Sequence, residues 1–443
     1  MNKKLILYTL VAAIGGLLFG YDTAVINGAL PFFKAHFELS NAMTGWAVSS
    51  ALLGCIFGAA FIGKPGDKYG RRKMLKSMAA LFFISALGTA LAPSISVFVF
   101  ARFIGGIAVG GASVISPMYI SEIAPANYRG RLTIIFQLAI VIGILVAFFA
   151  DYLLIDTGVN NWRYMFLSEV VPALFFYTLL FFVGQSPRWL LLSGNSEEAL
   201  KVIRDINTVG DTEQIYNDIK NSVEQEPSGE KGLLLKKPYF RLILIGIAVG
   251  IFNQLTGIAI VMYYATDIFR AAGFSTSSAI GQTVIIGLTN LVFTIFAMMI
   301  IDKVGRKKLL LIGTLGMTVF LGLFSLAFLK NIFPGWVSLV LLIGYVAFFA
   351  SSFGAVIWVL LAEIFPNNIR SRGMSIGSFS SWGANFLLTF FFPIIVGLFN
   401  DGKGIGYSFA FFAVMTFIAY FIFKKHLFET KNKTLEQIES ENI

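Results

Sequence analysis

Charged residues are scarce in this chain, and so are the residues that commonly carry catalysis. Asp, Glu, Lys and Arg make up 13% of the 443 residues, against about 25% in typical soluble domains. There are two histidines, His36 and His426, and a single cysteine, Cys55, which excludes an intramolecular disulfide. We find neither a metal-ligand cluster nor a phosphate-binding glycine loop in the sequence. These absences argue against an enzyme, and we expect no cofactor and no metal site.

Apolar sequence, by contrast, is abundant. Hydrophobic residues make up 57% of the chain and aromatic residues 15%. A helix of about 20 residues crosses a hydrocarbon core of about 30 Å, and most of twelve apolar runs reach this length. The runs lie near 5–31, 43–63, 74–92, 95–120, 132–154, 164–183, 239–268, 278–301, 308–329, 336–361, 373–398 and 406–423. The first run resembles a secretory signal but continues past Phe19, so we expect an uncleaved span. The sequence predicts an all-α membrane protein with twelve transmembrane helices, whose partner is the lipid bilayer.

The distribution of basic residues predicts the orientation in the membrane. The net charge is +10, but most lysines and arginines lie in loops that alternate onto one side, together with both termini. This bias is typical of the cytoplasmic side. We therefore expect a multi-pass protein of the cell (inner) membrane with both termini in the cytoplasm, and we do not expect nucleic-acid binding.

Two motifs occur twice and divide the chain into halves. Gly66–Leu75 recurs as Ile301–Leu310, and Glu122–Arg129 recurs as Glu363–Arg370. Between the repeats lies a charged stretch in which we expect short amphipathic helices. The predicted domains are an N-terminal six-helix half at 1–186, a cytoplasmic helical linker at 187–237, a C-terminal six-helix half at 238–426 and a cytoplasmic tail at 427–443. Parallel six-span repeats are typical of transporters that bind substrate near the membrane midplane.

The repeated motifs carry acids and arginines at helix ends. We expect a cytoplasmic charge network made of Asp67, Arg71, Glu122, Arg129, Asp302, Arg306, Glu363 and Arg370. Partly buried pairs of this kind can hold the halves together when the cytoplasmic side is closed and separate when it opens. The alternative is that these cations only set the topology.

Two ionisable residues lie inside predicted spans. Asp22 is in the first span and Arg102 in the fourth. A charge at the bilayer centre costs roughly 2.5 to 3.5 kcal/mol on insertion scales, so such residues commonly have a function. We predict that Asp22 and Arg102 couple transport to protons. The alternative is a purely structural ion pair.

Several segments resemble the sugar porter family of the major facilitator superfamily. They are Gly20–Gly28, Arg102–Ile107, Pro117–Glu122, Ser186–Leu190, Trp358–Pro366 and Glu429–Glu436, and the resemblance covers essentially the whole chain. It implies two pseudo-symmetric halves that carry a monosaccharide or polyol by alternating access, with protons coupled through Asp22.

The residue types inside the spans suit a sugar. Sugar hydroxyls donate and accept hydrogen bonds, and the apolar ring faces stack on aromatic side chains, so amides and indoles are the natural ligands. The candidates are Gln137, Asn253, Gln254, Asn290, Trp358, Ser381 and Trp382. The last two belong to a polar stripe with Ser378 and Asn385, which can equally serve helix packing. Gly257 suggests a helix that loosens in mid-membrane, with Tyr263 and Tyr264 as an extracellular gate.

The sequence also departs from the family pattern. Ala259 and Ser381 stand where members of the family commonly carry amides, and Ile144 stands where one member carries a glutamine. Gln185 precedes Ser186 where an acid is usual. The first three changes remove hydrogen-bonding groups from the predicted pocket, and the fourth removes an acid from the charge network.

Three functions remain open at this point. The first is a proton-coupled sugar symporter, and the second is a passive sugar uniporter, which typically has a neutral residue in place of Asp22. The third is a non-transporting sugar sensor, which would need a signalling segment. We expect the protein to work as a monomer.

Overall fold

The computed structural model describes residues 2–125, 128–207, 212–224, 237–330, 335–366, 369–399 and 403–431. These residues form helices joined by short turns, and no strand occurs among them. The helices of the first part of the chain are α1 Lys3–His36, α2 Asn41–Phe61, α3 Gly63–Tyr69, α4 Arg71–Ala90, α5 Ile95–Ile123, α6 Arg129–Leu154, α7 Asn161–Ser168 and α8 Val170–Leu179. Three short helices follow: α9 Pro187–Leu192, α10 Ser196–Ile206 and α11 Thr212–Glu224. The remaining helices are α12 Lys237–Leu255, α13 Ile258–Ala271, α14 Thr276–Val304, α15 Arg306–Lys330, α16 Gly335–Phe349, α17 Ala355–Glu363, α18 Arg370–Gly397 and α19 Gly404–His426.

Eleven helical segments in the described part of the chain are long and apolar enough to cross a membrane. The sixth predicted span is different, because its helix is interrupted at Glu169, where α7 ends and α8 begins. Neither of these two helices reaches spanning length by itself. Together with this broken segment, the eleven others make the predicted fold of twelve membrane helices.

Contacts within the structure group the chain into two compact units. The first unit takes its described residues from Met1–Asp22, Leu53–Ile144 and Arg163–Ser228. The second takes them from Thr23–Leu52, Leu145–Trp162 and Gly229–Ile443. The predicted outer parts of α1, α2 and α6 thus pack with the later helices inside the second unit. The domain limits at 186, 237 and 426 remain a prediction from the repeats.

Short helices are present in the charged linker, as predicted. In the first unit, α10 buries Ala199, Val202 and Ile203. The α10 residue Asp205 accepts a hydrogen bond from Lys4 at the start of α1, with 2.6 Å between Nζ and Oδ1. The apolar face of α10 therefore packs inside the first unit, and an ion pair connects this helix to α1.

A break separates α12 from α13 in the middle of the seventh predicted span. Gly257 lies there with φ +86° and ψ 8°, in the left-handed region that favours glycine. A Cβ at residue 257 would point at the ring of Phe412. The helix that the sequence predicts to loosen at Gly257 does so at this residue. A second irregularity is a π-helical turn, Ala350–Gly354, which joins α16 to α17.

Candidate functional site

Asp22 and Arg102 form a buried ion pair, and their role in proton coupling stays a prediction. Arg102 Nη1 donates to Asp22 Oδ1 at 2.6 Å, and Nη2 donates to the backbone oxygen of Asp22 at 3.1 Å. The side chains of Asp22 and Arg102 are 2% and 1% exposed. The guanidinium carbon of Arg102 also lies 5.7 Å from the ring centroid of Phe166. The pair is thus fully enclosed in the first unit, between α1, α5 and α7.

Glu169 is a third ionisable residue at this site, and the sequence reasoning missed it. It occupies the break between α7 and α8, is 1% exposed, and lies near enough to Asp22 and Arg102 for the three charges to act on one another. Its Oε1 has no hydrogen-bond partner among the described residues. A hydrogen bond of 2.6 Å between the hydroxyls of Tyr21 and Ser168 fixes the preceding turn of α7 against α1. The signal was available, because an acid inside a predicted span is a functional candidate by itself.

Two amides lie in the last turns of α12, just before the break at Gly257. Asn253 and Gln254 are 6% and 8% exposed. Gln254 Nε2 donates to Ser381 Oγ of α18 at 2.9 Å. Asn253 Oδ1 and Gln254 Oε1 have no partner in the described part of the chain. An unpaired buried acceptor costs about 1 to 3 kcal/mol, and a ligand hydroxyl recovers this free energy.

The other predicted sugar ligands are distributed over both units. Asn290 and Trp382 are buried in the second unit, at 6% and 7% exposure. Trp358, on α17 just after the π-helical turn, keeps 36% of its surface exposed, so its indole is accessible. Gln137 is half-buried on α6 in the first unit. None of these placements tests the assignment to sugar, which remains a prediction.

The residues that depart from the family pattern are all buried in the structure. Ala259 and Ile144 are buried apolar residues at 5% and 7% exposure. Ser381 stands in place of an amide but still takes part in a hydrogen bond, because its hydroxyl accepts from Gln254. That bond uses part of the donor capacity of Gln254 within the protein and leaves its acceptor oxygen for a ligand.

The predicted gate helix α13 is held near its middle. Tyr263 and Tyr264 are both buried, and Tyr264 donates to the backbone oxygen of Thr389 at 2.8 Å. Asn27 of α1 donates to the Met262 oxygen at 2.9 Å and accepts from the Thr266 nitrogen at 2.9 Å.

Those two backbone groups would pair with each other in an unbroken helix. The Asn27 amide therefore bridges the carbonyl and N–H groups of one turn of α13. The sequence reasoning did not single out Asn27.

The predicted charge network has one cluster in each unit. In the first unit, Arg71 Nη2 lies 2.9 Å from Glu122 Oε1, and Arg71 Nη1 lies 2.9 Å from Asp67 Oδ1. The Arg71 and Glu122 side chains are 6% and 8% exposed, whereas Asp67 is 73% exposed. The strong contact is therefore the buried Arg71–Glu122 pair, since exposed pairs contribute little.

The second unit repeats this arrangement. Arg306 Nη2 lies 3.0 Å from Glu363 Oε1, and Arg306 Nη1 lies 3.1 Å from Asp302 Oδ1. Thr430 Oγ1, beyond the last helix, donates to Glu363 Oε2 at 2.5 Å. The side chains of Arg129 and Arg370 lie outside the described residues, so their predicted roles stay predictions.

A different side chain caps the helix that follows each cluster. In the first unit, Gln185 Oε1 accepts from the Arg72 nitrogen at 2.8 Å, near the start of α4. In the second, Glu429 accepts from the nitrogens of Arg306 and Lys307, at 2.8 and 3.1 Å, at the start of α15. Gln185 thus preserves the capping hydrogen bond without the charge that the family pattern places there.

The chain is similar to sugar transport proteins over nearly its full length. Residues 8–441 match the sequence profile described as sugar (and other) transporter. The D-xylose-proton symporter of Escherichia coli K12 is 41% identical, with 98% of this chain and 94% of that protein covered. The arabinose-proton symporter of Bacillus subtilis is 38% identical, with the same two coverages.

Solved structures give the same result. The xylose transporter of E. coli in its inward open conformation superposes with a TM-score of 0.87 and 39% identity, over 99% of this chain and 100% of that one. The symporter bound to 6-bromo-6-deoxy-D-glucose gives a TM-score of 0.82 and 40% identity, over 99% of each chain. This multi-pass membrane protein belongs to the sugar (and other) transporter family.

Proposed function

We propose that the protein is a proton-coupled symporter that imports a monosaccharide or polyol by alternating access. Its relatives include a D-xylose-proton symporter and an arabinose-proton symporter. The observation that carries the proposal is the enclosed Asp22–Arg102 pair with Glu169 beside it. A passive uniporter has no need of an acid in this position, and the pair makes symport the better explanation.

When Asp22 is protonated, Arg102 loses its negatively charged partner and needs another. Removing one member of a buried ion pair costs about 3 to 5 kcal/mol if the other charge is left unpaired. Glu169 offers a second carboxylate to the same guanidinium. We infer that a proton on Asp22 releases Arg102 towards Glu169, which allows the loaded carrier to change conformation. Each proton carried inward adds about 2.3 kcal/mol per 100 mV, equivalent to roughly a fiftyfold sugar gradient.

Sugar binding is proposed at the amides beside the helix break. Ligand hydroxyls would donate to Asn253 Oδ1 and Gln254 Oε1, while the Trp358 indole stacks on the ring. Because Gly257 separates these amides from α13, occupation of the amides can be coupled to movement of the gate tyrosines. Asn290, Ser381 and Trp382 complete the proposed ligand set in the second unit, and Gln137 of the first unit stays a separate prediction.

The finer localisation is also a proposal. The basic loops favour a cell (inner) membrane protein with both termini in the cytoplasm. In this orientation the Arg71–Glu122 and Arg306–Glu363 pairs, each within one unit, lie on the cytoplasmic side. We further propose that the monomer is the working unit.

Transport in proteoliposomes tests the function. The wild-type protein should concentrate labelled sugar when the lumen is alkaline and negative, and the addition of sugar should alkalinise the outside. Asp22→Asn cannot titrate, so it should lose accumulation but keep sugar binding. Asp156→Asn, which changes an exposed aspartate, is the matched control.

The remaining functions predict other results. A uniporter would equilibrate sugar without concentrating it, and a sensor would bind sugar without exchanging it across the membrane. Accumulation that persists in Asp22→Asn would contradict proton coupling through this residue. A panel of labelled pentoses, hexoses and polyols in counterflow identifies the substrate.

A further inference from the structure

Asp151 is a buried carboxylate that the proposed transport mechanism does not use. It lies on α6 in the second unit, at the predicted outer side, and is 0% exposed. Its Oδ2 accepts one hydrogen bond, from the backbone nitrogen of Gly28 at 3.2 Å. Its Oδ1 has no partner among the described residues. An acid buried this completely with one weak hydrogen bond needs an explanation.

The first helix is shaped to admit this carboxyl group. A Cβ on residue 28 would come within 2.6 Å of the Cβ, Cγ and Oδ2 atoms of Asp151. Gly28 has none, so the carboxyl group reaches the backbone of α1 directly. At this contact α1 therefore supplies an N–H donor and a slot, the space left by the missing side chain of Gly28.

The surroundings of Asp151 favour the neutral acid. A buried carboxylate is commonly stabilised by two or three N–H donors or by a cation. Asp151 has a single N–H donor, and no lysine, arginine or histidine in the described ranges pairs with it. An unpaired charge in this position is far more costly than an unpaired hydroxyl.

Neither α1 nor α14 supplies a compensating charge to Asp151, and on α13, which Asn27 joins to α1, Asp267 pairs with Arg270. On α1, Lys34 and His36 follow later in the chain and make no ion pair with it. The α14 residues Gly281 and Gly287 face α6, and the first charged residue of α14 is Asp302, at its other end. On α6 itself, Arg129 and Arg131 are at the opposite end, and the next acid along the chain, Asp156, is exposed.

We infer that Asp151 is a second proton-binding site, which holds a proton while the outer ends of α1 and α6 are packed as they are here. It releases the proton when that packing opens to water. The inference rests on the proposed alternating access, because it requires an outer side that opens and closes. Asn27, the residue before Gly28, makes two hydrogen bonds to α13, so the slot for Asp151 and the gate helix are held by adjacent residues of α1.

Because the packed form takes up a proton, the inference also predicts how pH shifts the balance between the packed and open forms. The packed form binds one more proton than the open form, so lowering the pH favours the packed form. The ratio of the two forms changes by up to about tenfold per pH unit for a single proton. A proton that returns to the side from which it came moves no net charge. Asp151 thus regulates the outer gate, while Asp22 determines the coupling.

Infrared difference spectroscopy of the full-length protein detects the proton directly. A protonated carboxyl group has a C=O stretching band that shifts in heavy water and that a carboxylate lacks. We expect this band in the wild-type protein near neutral pH and its partial loss in Asp151→Asn. Asp156→Asn, which changes an exposed aspartate 5 residues later on the same chain segment, should keep the full band.

Hydrogen–deuterium exchange measures the effect on the gate. After correction for the intrinsic pH dependence of exchange, peptides from the outer half of α1 and from α13 should exchange more slowly as the pH falls. Asp151→Asn, which mimics the neutral acid, should exchange slowly at every pH. Asp156→Asn, the exposed control, should keep the pH dependence at α13.

The outcomes separate this inference from the proposed function, because neither measurement needs sugar or a proton gradient. An unchanged carboxyl band in Asp151→Asn, or exchange at α13 that keeps its wild-type pH dependence, overturns the inference even if symport is demonstrated. If Asp151→Asn does not fold, Asp151→Ala removes the titratable group without adding volume beside Gly28 and is judged by the same two results.

Discussion

The helix break at Gly257 gives a prediction whose magnitude follows from the structure. In Gly257→Ala, the alanine must adopt φ +86°, which costs about 1 to 2 kcal/mol for an L-residue. Its Cβ would also lie 2.6 Å from Cδ2 of Phe412, a ring that is 3% exposed. Overpacking of this kind typically costs about 1 to 3 kcal/mol. We therefore expect a total destabilisation of roughly 2 to 5 kcal/mol.

A second glycine separates the two contributions. Gly273 has φ +97°, and no heavy atom within 4 Å would meet a Cβ there. Gly273→Ala should therefore show the backbone cost alone. Thermal unfolding of the purified protein should give the largest loss of stability for Gly257→Ala and a smaller loss for Gly273→Ala. Adding Phe412→Leu to Gly257→Ala should recover part of the difference, as a double-mutant cycle measures.

The same variants test the role of the break in transport. Gly257→Ala should reduce counterflow more than Gly273→Ala at equal amounts of folded protein, because the break adjoins the proposed sugar amides. Equal losses of stability in the two alanine variants, with no recovery from Phe412→Leu, would refute the reasoning about the steric contact. Normal counterflow in Gly257→Ala would refute the role of the break.

Two further predictions concern binding and gating. Gln254→Ala and Trp358→Ala should each weaken sugar binding by about 1 to 3 kcal/mol, measured by calorimetry. Trp336→Ala, at an indole that is 62% exposed, should leave the affinity unchanged, and full affinity in both test variants would remove them from the site. Asn27→Ala loses two hydrogen bonds to α13. One net hydrogen bond contributes about 0.5 to 1.5 kcal/mol, so we expect a shift of at least this size away from the packed form. Deuterium uptake at α13 should rise about two- to thirteenfold or more, with exposed Asn195→Ala as the control, and unaltered uptake would show that the two bonds contribute nothing.

The spans could be predicted because length and apolar composition determine what crosses a membrane. The break at Gly257 was also predictable, since a glycine beside buried amides favours an irregular helix. The break at Glu169 was not, because it lies within a continuous apolar run and Glu169 itself has ordinary helical angles, φ −66° and ψ −22°. Only the structure shows that this acid is buried close to Asp22 and Arg102.

For the acids inside the spans, too, the sequence reveals the residues but not their partners. The rule that drew attention to Asp22 applies equally to Asp151 and Glu169, which lie inside the predicted runs 132–154 and 164–183. Their existence was therefore readable from the sequence, but their partners were not. Asp22 meets Arg102 across 80 residues, and Asn27 meets Met262 across 235, so pairing depends on tertiary packing that periodicity does not encode.

The caps of α4 and α15 make the two repeats alike in geometry and unlike in response to ionic strength. Gln185 holds its helix end through a neutral amide, which salt does not screen. Glu429 holds the other end as a carboxylate, and at about 0.15 M salt the Debye length is about 8 Å, short enough to weaken its longer-range attraction to the nearby lysines. Raising the salt concentration should therefore loosen the predicted cytoplasmic end of the second repeat before that of the first. The two repeats would then differ in flexibility as the ionic strength of their surroundings changes.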